Sequence, residues 1–145
     1  MTRATLRYSP LLGGLLPDLT PIQGELQAQI MAVVWRLGSG TVEQVRTALP
    51  PRYQSAYTTV QTVLNRLAER KLLGRTKEGN VVVYRPRISE DEYVSLSIER
   101  TLAAASVDAR QAALARLIGE LDGEELSDLQ RLARELEGRR RRRAR

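Results

Sequence analysis

The chain contains no Cys and no His. Without Cys there is no disulfide framework and no thiolate metal site, and without His most zinc sites lose their other usual ligand. The two absences also remove most nucleophilic dyads and the commonest general base. Enzymatic chemistry, cofactors and bound metals are therefore not expected. There is no Phe either, and only one Trp and five Tyr. With 42% hydrophobic residues the core must be aliphatic, and Ala, Leu, Glu and Arg around it favour helices. No apolar run approaches the roughly 20 residues a membrane helix needs. Leu11–Leu16 is apolar, but Gly13 and Gly14 break it and prolines flank it, so it makes a poor signal-peptide core. The 145 residues suit one domain, or one small domain with an appendage, in the cytoplasm.

What the chain has in quantity is charge, unevenly placed. The formal sum is +6. Residues 22–87 hold ten Lys/Arg against four Asp/Glu, a net of +6. Residues 88–137 hold five against twelve, a net of −7, and residues 138–145 hold six Arg and no acid. A basic module precedes an acidic one, and a basic tail follows. A polyanion suits the first module as partner and not the second.

Within the basic module, Ala56–Arg70 reads as a helix with two unlike faces. Ala56, Val60, Val63, Leu64 and Leu67 form an apolar stripe. Thr58, Gln61, Thr62, Asn65 and Arg66 fall opposite, with Thr59 on the flank. A merely solvated face would carry Glu, Lys and Arg throughout. Short hydroxyl and amide side chains near a helix start suit base edges in a major groove.

The flanking segments give this helix a context. Residues 1–19 lack periodicity and are expected to form a flexible arm. Thr20-Pro21-Ile22-Gln23 reads as a helix start with a capping box, followed by Leu26, Ile30, Val33, Val34 and Leu37 at helical spacing. Trp35, within this helix, is expected to be partly buried. Thr41–Gln44 repeats the box before a short helix that Pro50 and Pro51 stop. Leu72–Lys77 and Val81–Arg85 read as strands around a turn at Glu78-Gly79-Asn80. A hairpin directly after such a helix is a wing, whose Arg75, Lys77 and Arg85 suit backbone phosphates.

From Ser89 the pattern is helical again. Ser89–Glu92 reads as a third capping box. Tyr93, Val94, Leu96, Ile98 and Leu102 spread over more than one face, which suggests burial on several sides. A second segment presents Leu117, Ile118 and Leu121. A last helix, started at Asp122–Glu125, presents Leu126, Leu129, Leu132 and Leu136. Three helices without a domain-sized core finish their burial most economically against a second copy, so Leu96, Ile98, Leu102 and these seven are the candidate dimer contacts. The Arg tail, lacking apolar residues, is expected to be disordered.

These residues resemble a known family. Gly24–Trp35 is similar to the opening helix of the penicillinase-repressor family, and Gly40–Val45 to its second helix. Tyr57-Thr-Thr-Val-Gln-Thr-Val-Leu-Asn-Arg-Leu67 is the most specific piece, and Gly79–Pro86 resembles the wing and its exit. The resemblance implies a bacterial winged-helix repressor that dimerises through C-terminal helices on dyad operators. It implies base reading by Thr58, Thr59, Gln61 and Thr62, with Asn65 and Arg66 towards the backbone. It also brings an upstream sensor protease into view as a partner. Three departures stand out. The family usually has Gly after the recognition helix; here Lys71 stands there, so the turn must be made another way. The C-terminal Cys motif of copper-responsive relatives is missing. The Asn-Phe bond cleaved in the drug-resistance repressors cannot exist without Phe.

The expected fold is mostly α with a small β-hairpin: a winged helix-turn-helix over residues 20–87, dimerisation helices over 88–137, and a tail over 138–145. The expected function is that of a homodimeric, sequence-specific repressor on a pseudo-palindromic DNA operator. Arg52, Ser55, Tyr57, Asn65, Arg66, Arg75, Lys77 and Arg85 are the candidate backbone contacts. A winged-helix protein-interaction adaptor and a nonspecific nucleic-acid-binding protein driven by the Arg tail are the alternatives.

Overall fold

A computed structural model describes residues 17–19, 22 and 24–145. The chain forms two compact units, divided between Glu99 and Arg100. Among the described residues no helix is long and apolar enough to cross a membrane.

The first unit opens with α1, Glu25–Leu37. The helix starts later than the Thr20–Gln23 box predicts, because Gly24 takes a positive φ of 88° immediately before it. Thr20, Pro21 and Gln23 themselves lie outside the described residues. Ile30, Met31, Val33 and Val34 are buried, and Gly38 closes the helix in the left-handed conformation. Helix α2, Val42–Ala48, carries the expected capping box: Gln44 N–H donates to Thr41 Oγ1 at 3.2 Å, and Thr41 N–H donates to Gln44 Oε1 at 2.9 Å. A 3₁₀ turn over Pro51–Tyr53 leads to α3, Tyr57–Glu69, which buries Val60, Val63, Leu64 and Leu67. Ala56, assigned to that stripe, is exposed because it is the N-cap and stands outside the helix.

The end of α3 corrects one expectation. Lys71 adopts φ 63°, the left-handed conformation that Gly usually supplies. Its N–H donates to Ala68 O at 3.0 Å, while Leu72 N–H donates to Leu67 O at 3.1 Å. This pair of bonds is the Schellman motif, closed without Gly. Nearby, Asp18 N–H donates to Arg70 O at 2.9 Å, Arg70 Nη2 donates to Asp18 O at 3.1 Å, and Leu19 packs on the core. The last part of the expected flexible arm is therefore anchored; residues 1–16 lie outside the described residues.

Strands β1 (Leu73–Glu78) and β2 (Val81–Pro86) pair antiparallel, Leu73 opposite Pro86 and Glu78 opposite Val81. The turn is Gly79-Asn80, one residue tighter than expected, with Gly79 at φ 63°. Gly40 adds a bridge that sequence did not reveal: it exchanges two backbone hydrogen bonds with Tyr84, both 2.9 Å. A Cβ at Gly40 would stand 3.1 Å from Val45 Cγ2, so the close approach favours Gly.

Helix α4, Glu90–Ala104, crosses the division between the units. Ser89 Oγ accepts from Glu92 N–H at its start. Trp35 is half-buried, as expected; its Nε1–H donates to Ile88 O at 2.9 Å, and its ring centre lies 5.6 Å from that of Tyr93. Tyr93 and Leu96 pack against the core, so the first unit extends beyond the boundary expected at residue 87. The expected burial of α4 on several sides does not occur within the chain, where none of its residues is buried. Its scattered apolar residues divide instead: Tyr93 and Leu96 meet the core, while Val94 and Ile98 remain exposed.

The second unit continues with α5 (Val107–Gly119), capped by Ser106, and α6 (Gly123–Arg143), capped by an Asp122–Glu125 box. Neither helix buries a residue. Helix α6 also corrects the expected disordered tail, since it runs through Arg143. Gly138 does not take the positive φ that ends a helix. Arg is a good helix former, and Glu135 and Glu137 precede Arg139 and Arg141 by four residues. Arginines in the last turn also complement the helix dipole.

Candidate nucleic-acid interface

The apolar stripe of α3 is buried in the core, which turns the opposite face outward. Thr58, Thr59, Gln61, Thr62 and Arg66 are exposed there, and Asn65 is half-buried. Thr62 Oγ1 donates to Thr58 O at 2.8 Å. That bond uses the hydroxyl proton and leaves Thr62 its lone pairs and methyl group to present. Ala56 provides no side-chain cap, so the positive end of the α3 dipole stays open near Thr58.

The hairpin register sets which cations accompany this face. Arg75 stands directly opposite Tyr84, so their side chains share one face of the ribbon. Both reach α3: Arg75 Nη1 donates to Asn65 Oδ1 at 2.8 Å, and the Tyr84 hydroxyl donates to the same oxygen at 2.7 Å. Lys77, two residues beyond Arg75, falls on that ribbon face towards the turn. Arg85 falls on the other face and pairs with Glu78 Oε1 at 2.7 Å. The structure thus brings Arg75 and Lys77 towards the polar face of α3 and keeps Arg85 away from it. Lys77 and Arg66 have no protein partner among the described residues.

Before α3, Arg52 lies over the Tyr53 ring at 5.5 Å and approaches Glu25 at 3.7 Å. Both charges of that pair are largely exposed, so the pair is weak. Tyr53 donates to Glu25 Oε2 at 3.2 Å. Ser55 Oγ donates to Tyr53 O at 3.1 Å, which uses it locally, whereas Tyr57 is half exposed at the first turn of α3. Tyr84 is the residue that sequence reasoning missed. Burial pushes its phenol up from the ordinary value, and the opposing Arg75 charge is the smaller effect, so the group remains a donor at neutral pH. The available signal was a Tyr following three Val in a strand, opposite an Arg.

Of the ten candidate dimer contacts, Leu96 is diverted to the core of the first unit. Leu102, Leu121 and Leu126 are half-buried, while Ile98, Leu117, Ile118, Leu129, Leu132 and Leu136 are about half exposed. On α6 the sequence Leu126, Leu129, Ala133, Leu136 repeats at alternating spacings of three and four, the spacing of a helix–helix seam.

A short helix, a longer helix with an exposed Thr/Gln face, and a basic hairpin fastened to that helix define a winged-helix domain. The penicillinase repressor family model matches residues 23–135. A transcriptional regulator BlaI of Mycobacterium tuberculosis is 36% identical over 116 residues, covering 79% of this chain and 84% of its own. The penicillinase repressor of Bacillus licheniformis is 26% identical over 117 residues, covering 79% and 91%. Among solved structures, the monomeric form of Bacillus licheniformis BlaI in complex with the blaP half-operator is 31% identical. It covers 54% of this chain and 94% of its own, with a TM-score of 0.44. The chain belongs to the penicillinase-repressor family. It is by that membership a transcriptional repressor and not an enzyme.

Proposed function

We propose that the chain represses transcription as a homodimer bound to a pseudo-palindromic DNA operator. The supporting observation is the outward Thr58–Thr62 face of α3 with Arg75 and Lys77 on the ribbon face turned towards it. Thr58, Thr59, Gln61 and Thr62 read base edges in the major groove. Arg52, Arg66, Arg75 and Lys77 hold phosphates and supply most of the affinity, and Tyr57 contributes from the first turn of α3. Arg85 joins them only by exchanging Glu78 for a phosphate. The exposed leucines of α5 and α6 meet a second copy, which places two reading helices on successive half-sites. Repression acts in the cytoplasm, where the DNA is. If a sensor protease relieves it, the cut falls at a bond other than Asn-Phe.

The experiment is selection of bound duplexes from random DNA, followed by titration of Gln61→Ala. Loss of a bidentate base contact costs roughly 1–3 kcal/mol on the selected duplex, with little change on random DNA. Equal losses on both would remove Gln61 from base reading.

A further inference from the structure

Building on the DNA-binding reading above, we propose that Tyr84 is a positioning residue for DNA. Through Asn65 Oδ1 it fixes the Asn65 amide so that Nδ2 donates to a phosphate oxygen in the groove between α3 and β1. The orientation of the amide is determined by its partners. A guanidinium has no acceptor, so the Asn65 atom facing Arg75 at 2.8 Å must be the carbonyl oxygen. The Tyr84 hydroxyl, at 2.7 Å from the same oxygen, is a second donor to it. Nδ2 is thereby turned away from both. It donates to no group among the described residues, and it is not among the buried unpartnered atoms, so it remains open to solvent.

What surrounds that amide selects the ligand. Asn65 stands three and seven residues beyond Thr62 and Thr58, on the same side of α3. It lines a depression of about 290 Å³ with Lys71, Arg75 and Arg87, against one acid, Glu69. A donor-only amide amid an excess of cations fits an anionic oxygen better than a base edge, and DNA offers such oxygens at every phosphodiester. Tyr84 is only 2% exposed and cannot reach DNA itself. Its effect on binding must pass through Asn65.

The test uses the full chain and a duplex that the wild-type protein selects from random DNA. Asn65→Asp keeps the side-chain shape and the oxygen that accepts from Arg75 and Tyr84, but replaces the outward donor by an anionic oxygen. Affinity should fall about tenfold or more, with the thermal midpoint unchanged or raised. Unchanged affinity would reduce Asn65 to a brace of the wing and overturn the proposal. Tyr84→Phe should weaken binding by about threefold, and add nothing in the Asn65→Asp background. Additive losses would overturn the positioning role. A scan of the duplex with single neutral methylphosphonates compares wild-type protein with Asn65→Asp. Positions held by the cations should cost both proteins alike, whereas at one position the wild-type protein should lose about tenfold and Asn65→Asp should lose nothing or gain. The absence of any position at which the two proteins differ would also overturn the proposal. Failure of the wild-type protein to prefer its selected duplex over random DNA would instead remove sequence-specific binding, a separate result.

Discussion

The Leu72 amide donates to the Leu67 carbonyl over 3.1 Å, across a residue held at φ 63°. Both leucines are buried, so the bond and their contact together fasten the end of α3 to the start of β1. This junction sets the angle between the helix and the wing, and Lys71 carries its conformational cost.

Lys71→Gly should therefore stabilise the first unit. A non-Gly residue in the left-handed region costs about 1–2 kcal/mol. Gly returns roughly half of that through its freer unfolded chain. A net gain of about 0.5–1 kcal/mol is expected, seen as a higher urea midpoint at constant slope. A lower midpoint would mean that the Lys71 side chain contributes more to packing than its backbone costs.

The features legible in sequence were those set by neighbours along the chain. The capping box at Thr41 formed as its spacing required, Ser89 accepts from Glu92 N–H at the start of α4, α6 starts after Asp122, and the period-3.6 stripe of α3 entered the core. The Schellman turn at Lys71 was not legible, because the pull on it comes from the buried positions of Leu67 and Leu72. The same holds for Gly40 against Tyr84, and for Asn65 with its two donors, which are ten and nineteen residues away along the chain. The family resemblance pointed Asn65 towards the DNA backbone; its tie to the wing depends on the hairpin register. The start of α1 and the extent of α6 were missed for a local reason: the backbone angle at one glycine decided each.

Trp35→Phe tests the junction between α1 and α4. It removes the Nε1–H that serves Ile88 O, on a residue only 3% exposed, and a buried carbonyl left without a donor costs about 1–3 kcal/mol. Denaturation followed by far-UV circular dichroism should show a loss of about 2 kcal/mol, including the smaller ring. A change under about 0.5 kcal/mol would mean that water replaces the indole donor.

Dimerisation through α6 makes a prediction about mass and affinity together. Leu129 and Leu136 lie seven residues apart on one face, each about half exposed in the single chain. Changing both to Asp puts two charges into the proposed seam, and a buried unpaired charge is far costlier than an exposed one. Sedimentation should return the 16.3 kDa monomer. Affinity for a two-half-site duplex should fall about 100-fold or more, because the second half-site is no longer engaged at high effective concentration. A persistent dimer would place the contact elsewhere.

The Arg-rich end of α6 and the wing should be separable by salt. Each phosphate neutralised contributes about 0.9 to the slope of log K against log salt. Lys77→Ala should reduce that slope by about one, on selected and random duplexes alike. Removing residues 138–145 deletes six arginines at once, beyond the last leucine of the seam, and so leaves the proposed dimer contacts intact. If these arginines meet phosphates flanking the operator, the slope should fall by about two or more on a long duplex and hardly at all on one trimmed to the half-sites. An equal fall on both lengths would place the arginines over the operator itself. An unchanged slope on the long duplex would leave α6 with no DNA role, its arginines serving only the helix end they cap.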